Sequence, residues 1–138
     1  MKFYLIVIFF LAAACNKEEN EVAKSRTVLL TEKPWRLAGY GLDENGNRRI
    51  DLDEEAIEEC QKDNTSQFRV DGSGSHYDNA ISCGNGITEQ PFTWKFIENE
   101  RALDFLYTTA RIERLNESEL IISYDSGPAA RFLTVFHH

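Results

Sequence analysis

From Trp35 onward the apolar positions of this chain recur with a period of two. Trp35-Leu37 and Phe68-Val70 open short alternating runs, and Phe92-Trp94-Phe96 sets three aromatics on one face of a strand with Thr93 and Lys95 on the other. Leu103-Phe105-Tyr107, Ile112 with Leu115, and Leu120-Ile122-Tyr124 follow. The last run, Ala130-Phe132-Thr134-Phe136 against Leu133 and Val135, is apolar on both faces. Between these runs stand Glu44-Asn45-Gly46-Asn47, Asp71-Gly72-Ser73-Gly74, Gly84-Asn85-Gly86, Glu98-Asn99-Glu100, Asn116-Glu117-Ser118 and Ser126-Gly127-Pro128, all of residues that tolerate tight or left-handed backbone. Strands therefore recur roughly every ten residues, the spacing of an antiparallel meander. Such a chain disposes of its sheet edges by closing into a barrel or stacking two sheets. Only the stretch from Asp53 to Gln61 predicts a helix, a single short one with Ala56, Ile57 and Cys60 on one side.

The amino terminus follows a different rule. Lys2 precedes the apolar run Phe3 to Ala14, which ends in Ala12-Ala13-Ala14 and is followed at once by Cys15. The run is too short to cross a bilayer as a finished helix, and its small-residue exit suits a signal peptidase. The pattern resembles the signal peptide of bacterial lipoproteins. That resemblance implies that cleavage leaves Cys15 as an acylated first residue, held to a membrane by several acyl chains. A single chain would bind only reversibly, at about 0.8 kcal/mol per buried methylene. Asn16-Lys17-Glu18-Glu19-Asn20-Glu21 resembles the signal that sends some lipoproteins to the outer face of the outer membrane; it also reads as an ordinary solvated acidic tether. The expected organisation is a signal peptide at 1–14, the lipidated cysteine and a flexible tether at 15–31, and one domain at 32–138. Roughly a hundred residues suffice for a single modest core.

Charge narrows the partners. Cleavage after residue 14 removes one lysine and no acid, taking the net charge from −8 to −9. A nucleic-acid partner is excluded by the lack of clustered Lys and Arg, whereas a basic protein is matched. With Cys15 assigned to lipid, Cys60 and Cys83 remain, and a lone pair in an oxidising compartment most simply forms a disulfide, contributing roughly 3 kcal/mol on a chain-entropy argument. A zinc site is the alternative, but His76 is the only further ligand near them in sequence and four are needed.

Further features carry a family resemblance. Trp35-Arg36-Leu37 on a first strand, Glu59-Cys60-Gln61-Lys62-Asp63-Asn64, then Phe68 with Asp71-Gly72 in the following hairpin, and in order Cys83, Trp94, Leu103, Ile112, Leu115 and Leu120 resemble the lipocalin-like domains of small bacterial lipoproteins. The resemblance implies an all-β fold: a small antiparallel up-and-down barrel of about eight strands, with one short helix and a Cys60–Cys83 bridge. It implies little about activity; the domain is expected to be a monomer that binds rather than converts, without cofactor. Lys33-Pro34-Trp35 stands where lipocalins proper open with Gly-x-Trp, and the chain is shorter than theirs. An eight-stranded barrel is either filled by its own side chains or holds one small ligand. Trp35, Phe68, Trp94, Phe96, Phe105, Tyr107 and Phe132 are expected to line its interior, either as packing or as the wall of an apolar-ligand site.

Several constellations compete with plainer readings. Asp43-x-Asn45-x-Asn47 with Ile50, Asp51 and Glu54 imitates the spacing of a calcium-binding EF-hand loop, but Arg48 stands where glycine should make the sharp turn and no helix precedes it, so a turn without metal is expected. The acidic run Asp51, Asp53, Glu54, Glu55, Glu58 and Glu59 reads as the wet face of a short helix. Ser73-Gly74-Ser75-His76-Tyr77 resembles the Ser-Gly-x-x-Tyr motif of lipid-anchored inhibitors of C-type lysozyme, acidic β-barrels that insert a loop into the enzyme's cleft. It makes Ser73, His76 and Tyr77 candidates for contact with a basic cell-wall hydrolase; the plainer reading is a Gly-rich turn leading into a strand. No serine and histidine stand at recognisable catalytic spacing with an orienting acid, so no enzyme is expected. His137 and His138 are assigned no role.

Overall fold

The computed structural model describes residues 23–84, 86, 88–127 and 130–138. The expected signal peptide, Cys15 and the acidic run after it lie outside the described residues. Eight antiparallel strands run in chain order around a closed ring: β1 (Trp35–Asp43), β2 (Thr65–Phe68), β3 (Ser73–Tyr77), β4 (Glu89–Ile97), β5 (Ala102–Phe105), β6 (Thr108–Leu115), β7 (Glu119–Asp125) and β8 (Arg131–His137). The expected all-β up-and-down architecture with one short helix is what the chain adopts.

The ring is closed by β8, which pairs with β1 from Arg36↔His137 to Asp43↔Arg131 and with β7 from Glu119↔His137 to Asp125↔Arg131. A strand flanked on both sides and apolar on both faces must be buried on both faces. Accordingly Phe136 packs inside the ring, while Leu133, on the other face, is also fully buried. Two bulges re-phase the alternation. In β1 the register shifts between Leu37 and Gly39, so that Tyr40 sits opposite Thr134 and Leu42 opposite Phe132, on the same face as Leu37 opposite Phe136. In β6 the shift between Ile112 and Arg114 does the same for Ile112 and Leu115, which pair with Ile122 and Leu120. Their spacing of three, odd for a strand, is that extra residue.

One end of the ring is filled. Phe68, Phe92, Trp94, Phe96 and Phe105 meet in edge-on or tilted pairs with ring centroids 5.3 to 5.9 Å apart. Phe68, Gly74 and Phe92 stand in register across β2, β3 and β4, and a Cβ on Gly74 would overlap the Phe92 ring. Glycine there is the space those aromatics occupy.

The plug at this end was not legible in the sequence. The stretch assigned to the tether carries α1 (Arg26–Thr31), capped by the Ser25 hydroxyl, which accepts from Val28 N at 3.3 Å. So short a helix with three β-branched residues has little intrinsic stability. It is held by Leu30, fully buried in the core cluster, and by Trp35, whose indole Nε1 donates to the Leu30 carbonyl at 2.9 Å. His138, given no role above, stacks on the Trp35 ring with centroids 3.6 Å apart.

The single short helical turn expected within Asp53 to Gln61 is confined to the end of that stretch, at the disulfide-bonded Cys60. Those residues belong to the long β1–β2 connection, where only Glu59–Gln61 makes a 3-10 turn. The connection lies against β1 and takes up backbone groups that a full-length neighbour would otherwise pair: Ala56 N donates to Tyr40 O at 2.7 Å, Leu42 N to Glu54 O at 3.3 Å and Leu37 N to Asn64 O at 2.9 Å. Strand pairing outcompetes helix formation there. Gly41 allows it, because a Cβ would overlap the Glu54 carbonyl. Cys60 and Cys83 are joined, tying this connection to that between β3 and β4.

The ring, its plug and its disulfide all lie within residues 26–138. Replacing Leu30 by Ala should cost about 2–5 kcal/mol in urea unfolding. The same change at Leu52, which is 95% exposed, should stay within about 0.5 kcal/mol. Equal effects would show α1 to be a mere extension of the tether.

Candidate functional site

Opposite α1 the ring is open. The aromatic packing ends at Phe105, and beyond it lies a cavity of about 310 Å³ lined by Leu37, Tyr40, Gln61, Ser66, His76, Gln90, Phe105, Leu106, Tyr124, Thr134 and Phe136. A second recess of about 270 Å³ shares Gln61, His76 and Gln90 with it and adds Glu58, Asn64, Asp78 and Cys83. The two meet at the rim that the disulfide braces.

Register explains the polar band between them. Ser66, His76 and Gln90 pair across β2, β3 and β4, one row nearer the mouth than Phe68, Gly74 and Phe92. The Ser66 hydroxyl and His76 Nδ1 are 3.1 Å apart. Burial lowers the His76 pKa by disfavouring the charged ring, and the carboxylate of Asp78 works the other way. Across the cavity, burial raises the Tyr124 phenol well above its usual range, with a smaller contribution from Tyr40. Both groups are therefore neutral near pH 7, and the main cavity is uncharged. The recess is not: Glu58 and Asp78 line it, with no lysine or arginine.

The residues expected to line the interior divide. Trp35, Phe68, Trp94 and Phe105 are core, with Phe96 packed against them; of these only Phe105 reaches the cavity. Phe132 stacks on Tyr40 at 5.6 Å. Tyr107 is a correction, for it is fully exposed in the β5–β6 turn. Phe105 pairs with Thr108, leaving Leu106 and Tyr107 as a two-residue loop with φ of 50° and 64°. Such a loop requires left-handed backbone at both positions, which bulky residues adopt at a cost, and it turns the chain before alternation can carry Tyr107 inward.

Ser73, His76 and Tyr77 do not form one surface loop. They lie along β3, with Ser73 held by Asp71 at one end, His76 lining the cavity, and the Tyr77 hydroxyl 3.2 Å from Arg69 Nη2. The plainer reading, a Gly-rich turn entering a strand, describes this segment. The EF-hand-like loop closes on itself. Arg48 takes the left-handed conformation with φ of 62°, and its amide donates to Asp43 Oδ2. The side-chain amides of Asn45 and Asn47 both donate to Asp51 Oδ2, at 2.8 and 3.0 Å, and the Glu54 carboxylate accepts from Glu44 N and Asp51 N. Among the described residues, the one tight group of metal-ligating side chains is Glu58 with Cys60 and Cys83, and those sulfurs are bonded to each other. The zinc alternative lacks its thiolates.

Sequence reasoning missed the polar wall of the cavity: Tyr40, Ser66, Gln90 and Thr134. The signal existed for three of them. Ser66 is two residues from Phe68, Gln90 two from Phe92, and Thr134 sits between Phe132 and Phe136, each a polar residue on an apolar stripe. Tyr40 was hidden by the β1 bulge. Comparison with known protein families returns no match for this chain, and comparison with curated proteins returns no relative.

The lowered His76 pKa has a consequence for stability. An unfolded histidine protonates near pH 6.5, before the folded one does, so the unfolded state takes up the proton first as pH falls. Stability contributed by neutral His76 should be present above about pH 6.5 and decline below it, until the folded ring itself is protonated. Urea unfolding from about pH 7.5 to about pH 5 should show a smaller decline for His76→Gln than for the parent chain. Identical declines would show that His76 is not the group responsible.

Proposed function

We propose that this protein is a lipid-anchored envelope lipoprotein whose lipocalin-like barrel binds a small apolar ligand at its open end. The observation that carries the binding reading is the cavity of about 310 Å³, walled mainly by apolar side chains and closed below by the aromatic core and α1. Its volume lies at the lower end of the roughly 300–1,000 Å³ usual for small-molecule sites. That suits a short ligand rather than a long-chain lipid. The few polar groups, Ser66, His76, Gln90 and Thr134, would orient it. The anchor rests on the sequence alone: the apolar run to Ala14, the small residues before the cut, and Cys15. The outer membrane, with exposure at the cell surface, is the destination that the acidic run after Cys15 supports.

The two halves of the proposal separate experimentally. Mass spectrometry of protein taken from its own membranes should find an amino terminus at Cys15 bearing acyl chains; an unmodified Met1 would end the anchoring half. For the binding half, the neutral fluorophore N-phenylnaphthylamine should bind the chain from residue 16 onward with saturable, blue-shifted emission at one probe per chain. Thr134→Phe, which fills the cavity, should abolish the signal while thermal unfolding remains cooperative. Emission unchanged by Thr134→Phe, or absent with the folded parent, would sink the binding half.

A further inference from the structure

One strand of the ring lacks a neighbour over half its length. β4 pairs with β3 from Glu89↔Tyr77 to Thr93↔Ser73, but with β5 only from Trp94↔Phe105 to Ile97↔Ala102, because the chain then turns at Leu106 and Tyr107. From Glu89 to Thr93 the side of β4 away from β3 therefore has no strand partner among the described residues. Register says which groups it presents. Trp94 N donates to Gly72 O on the β3 side, so the backbone groups of Phe92 and Gln90 point that way too, and those of Pro91 and Thr93 point to the open side. Proline, with no N–H to leave unpaired, is tolerated at such an edge.

The open edge borders a groove of about 550 Å³, lined by Pro91, Thr93 and Lys95 of β4 and by Asp104, Leu106 and Tyr107. Tyr107 is wholly exposed and sits on left-handed backbone, where Asn-Gly would make the same two-residue turn without strain. An aromatic ring kept there against the preference of the turn is a contact side chain that touches little in the free protein.

Charge selects the occupant. Lys95, the basic side chain lining the groove, is already paired with Asp104 at 3.2 Å. Glu89 opens the edge, Glu58 and Asp78 line the recess beside Gln90, and the connection from Glu44 to Asn64 on the same rim carries eight acidic residues against three basic ones. A second copy of this chain would bring the same carboxylates and the same proline, so its charge would repel and its edge would be short of donors.

We infer that the open edge of β4 takes up an extended, lysine- or arginine-bearing segment of a partner protein as an added strand. Main-chain bonds to Thr93 and to the Pro91 carbonyl hold the segment, and Tyr107 packs against its side chains. This stands apart from the small-ligand reading, since it uses the edge of the wall and not the interior.

The test uses a blocked eight-residue peptide alternating valine and lysine, and its counterpart with glutamate in place of lysine. Titrated into the protein near pH 7 at low salt, the lysine peptide should bind at least tenfold tighter, and added salt should weaken it. By NMR hydrogen exchange, the Thr93 amide should exchange freely in the free protein and at least tenfold more slowly with the lysine peptide bound. Tyr107→Gly relieves the turn, so its thermal midpoint should not fall, yet it should bind the lysine peptide at least fivefold more weakly. Equal binding of the two peptides, binding of neither, or binding that leaves Thr93 exchange unchanged would overturn the inference. So would unchanged affinity in Tyr107→Gly, or a sedimenting dimer whose Thr93 amide is already protected, which would assign the edge to a second copy.

Discussion

The constraint on which this structure depends is that β1 has to be paired along its length although its sequence neighbour cannot do it. With β8, β1 is bonded from Arg36 to Asp43, but with β2 it shares only Trp35↔Ser66 and Arg36↔Thr65. The unpaired side would be an open sheet edge, costly to bury and prone to recruit another strand. The long connection from Glu44 to Asn64 takes the place of a strand partner, bonding to Tyr40, Leu42 and Leu37, and Cys60–Cys83 holds its far end to the next rim loop. Much follows from that substitution. Gly41 must lack a side chain, the acidic stretch is helical only from Glu59 to Gln61, and Gln61 and Asn64 arrive at the mouth of the barrel.

The same substitution explains where the sequence could be read and where it could not. Inward alternation in β4, β5, β7 and β8 was plain, because Phe92-Trp94-Phe96, Leu103-Phe105, Leu120-Ile122 and Phe132-Thr134-Phe136 have no interruptions. The closed antiparallel ring and the cysteine pair were therefore accessible. Misreadings fell where a non-local contact overrides a local pattern. Asp53 to Gln61 has helical spacing but before Glu59 gives its backbone to β1. Arg26 to Thr31 has little helical propensity but is held by Leu30 and Trp35. Tyr107 continues an alternation that a left-handed turn has already ended. Half of the candidate site is of this kind: Ser66, His76 and Gln90 form a row only through strand register, and Asn64 joins them only through the loop.

The barrel is thus two regions stacked along one axis. At the α1 end, large rings fill the interior and stabilise by burial and edge-on packing. Toward the mouth, side chains shrink or become polar, and space opens where Gly74 and Phe92 give way to His76 and Gln90. One row of register separates a packed core from a lined cavity, so a filled end and an open end occur in one molecule. Electrostatics divide the mouth again, with uncharged groups around the main cavity and carboxylates around the recess.

The entry of the chain at α1 has a geometric consequence. Lys24 and Ser25 lead into the base of the barrel, where Lys24 bridges Glu32 and Glu117 at 2.7 and 3.1 Å. Any attachment made through the amino end therefore grips the molecule by its stopper. The open mouth lies at the opposite end of the ring from that point of entry, with the rim loops farthest from it.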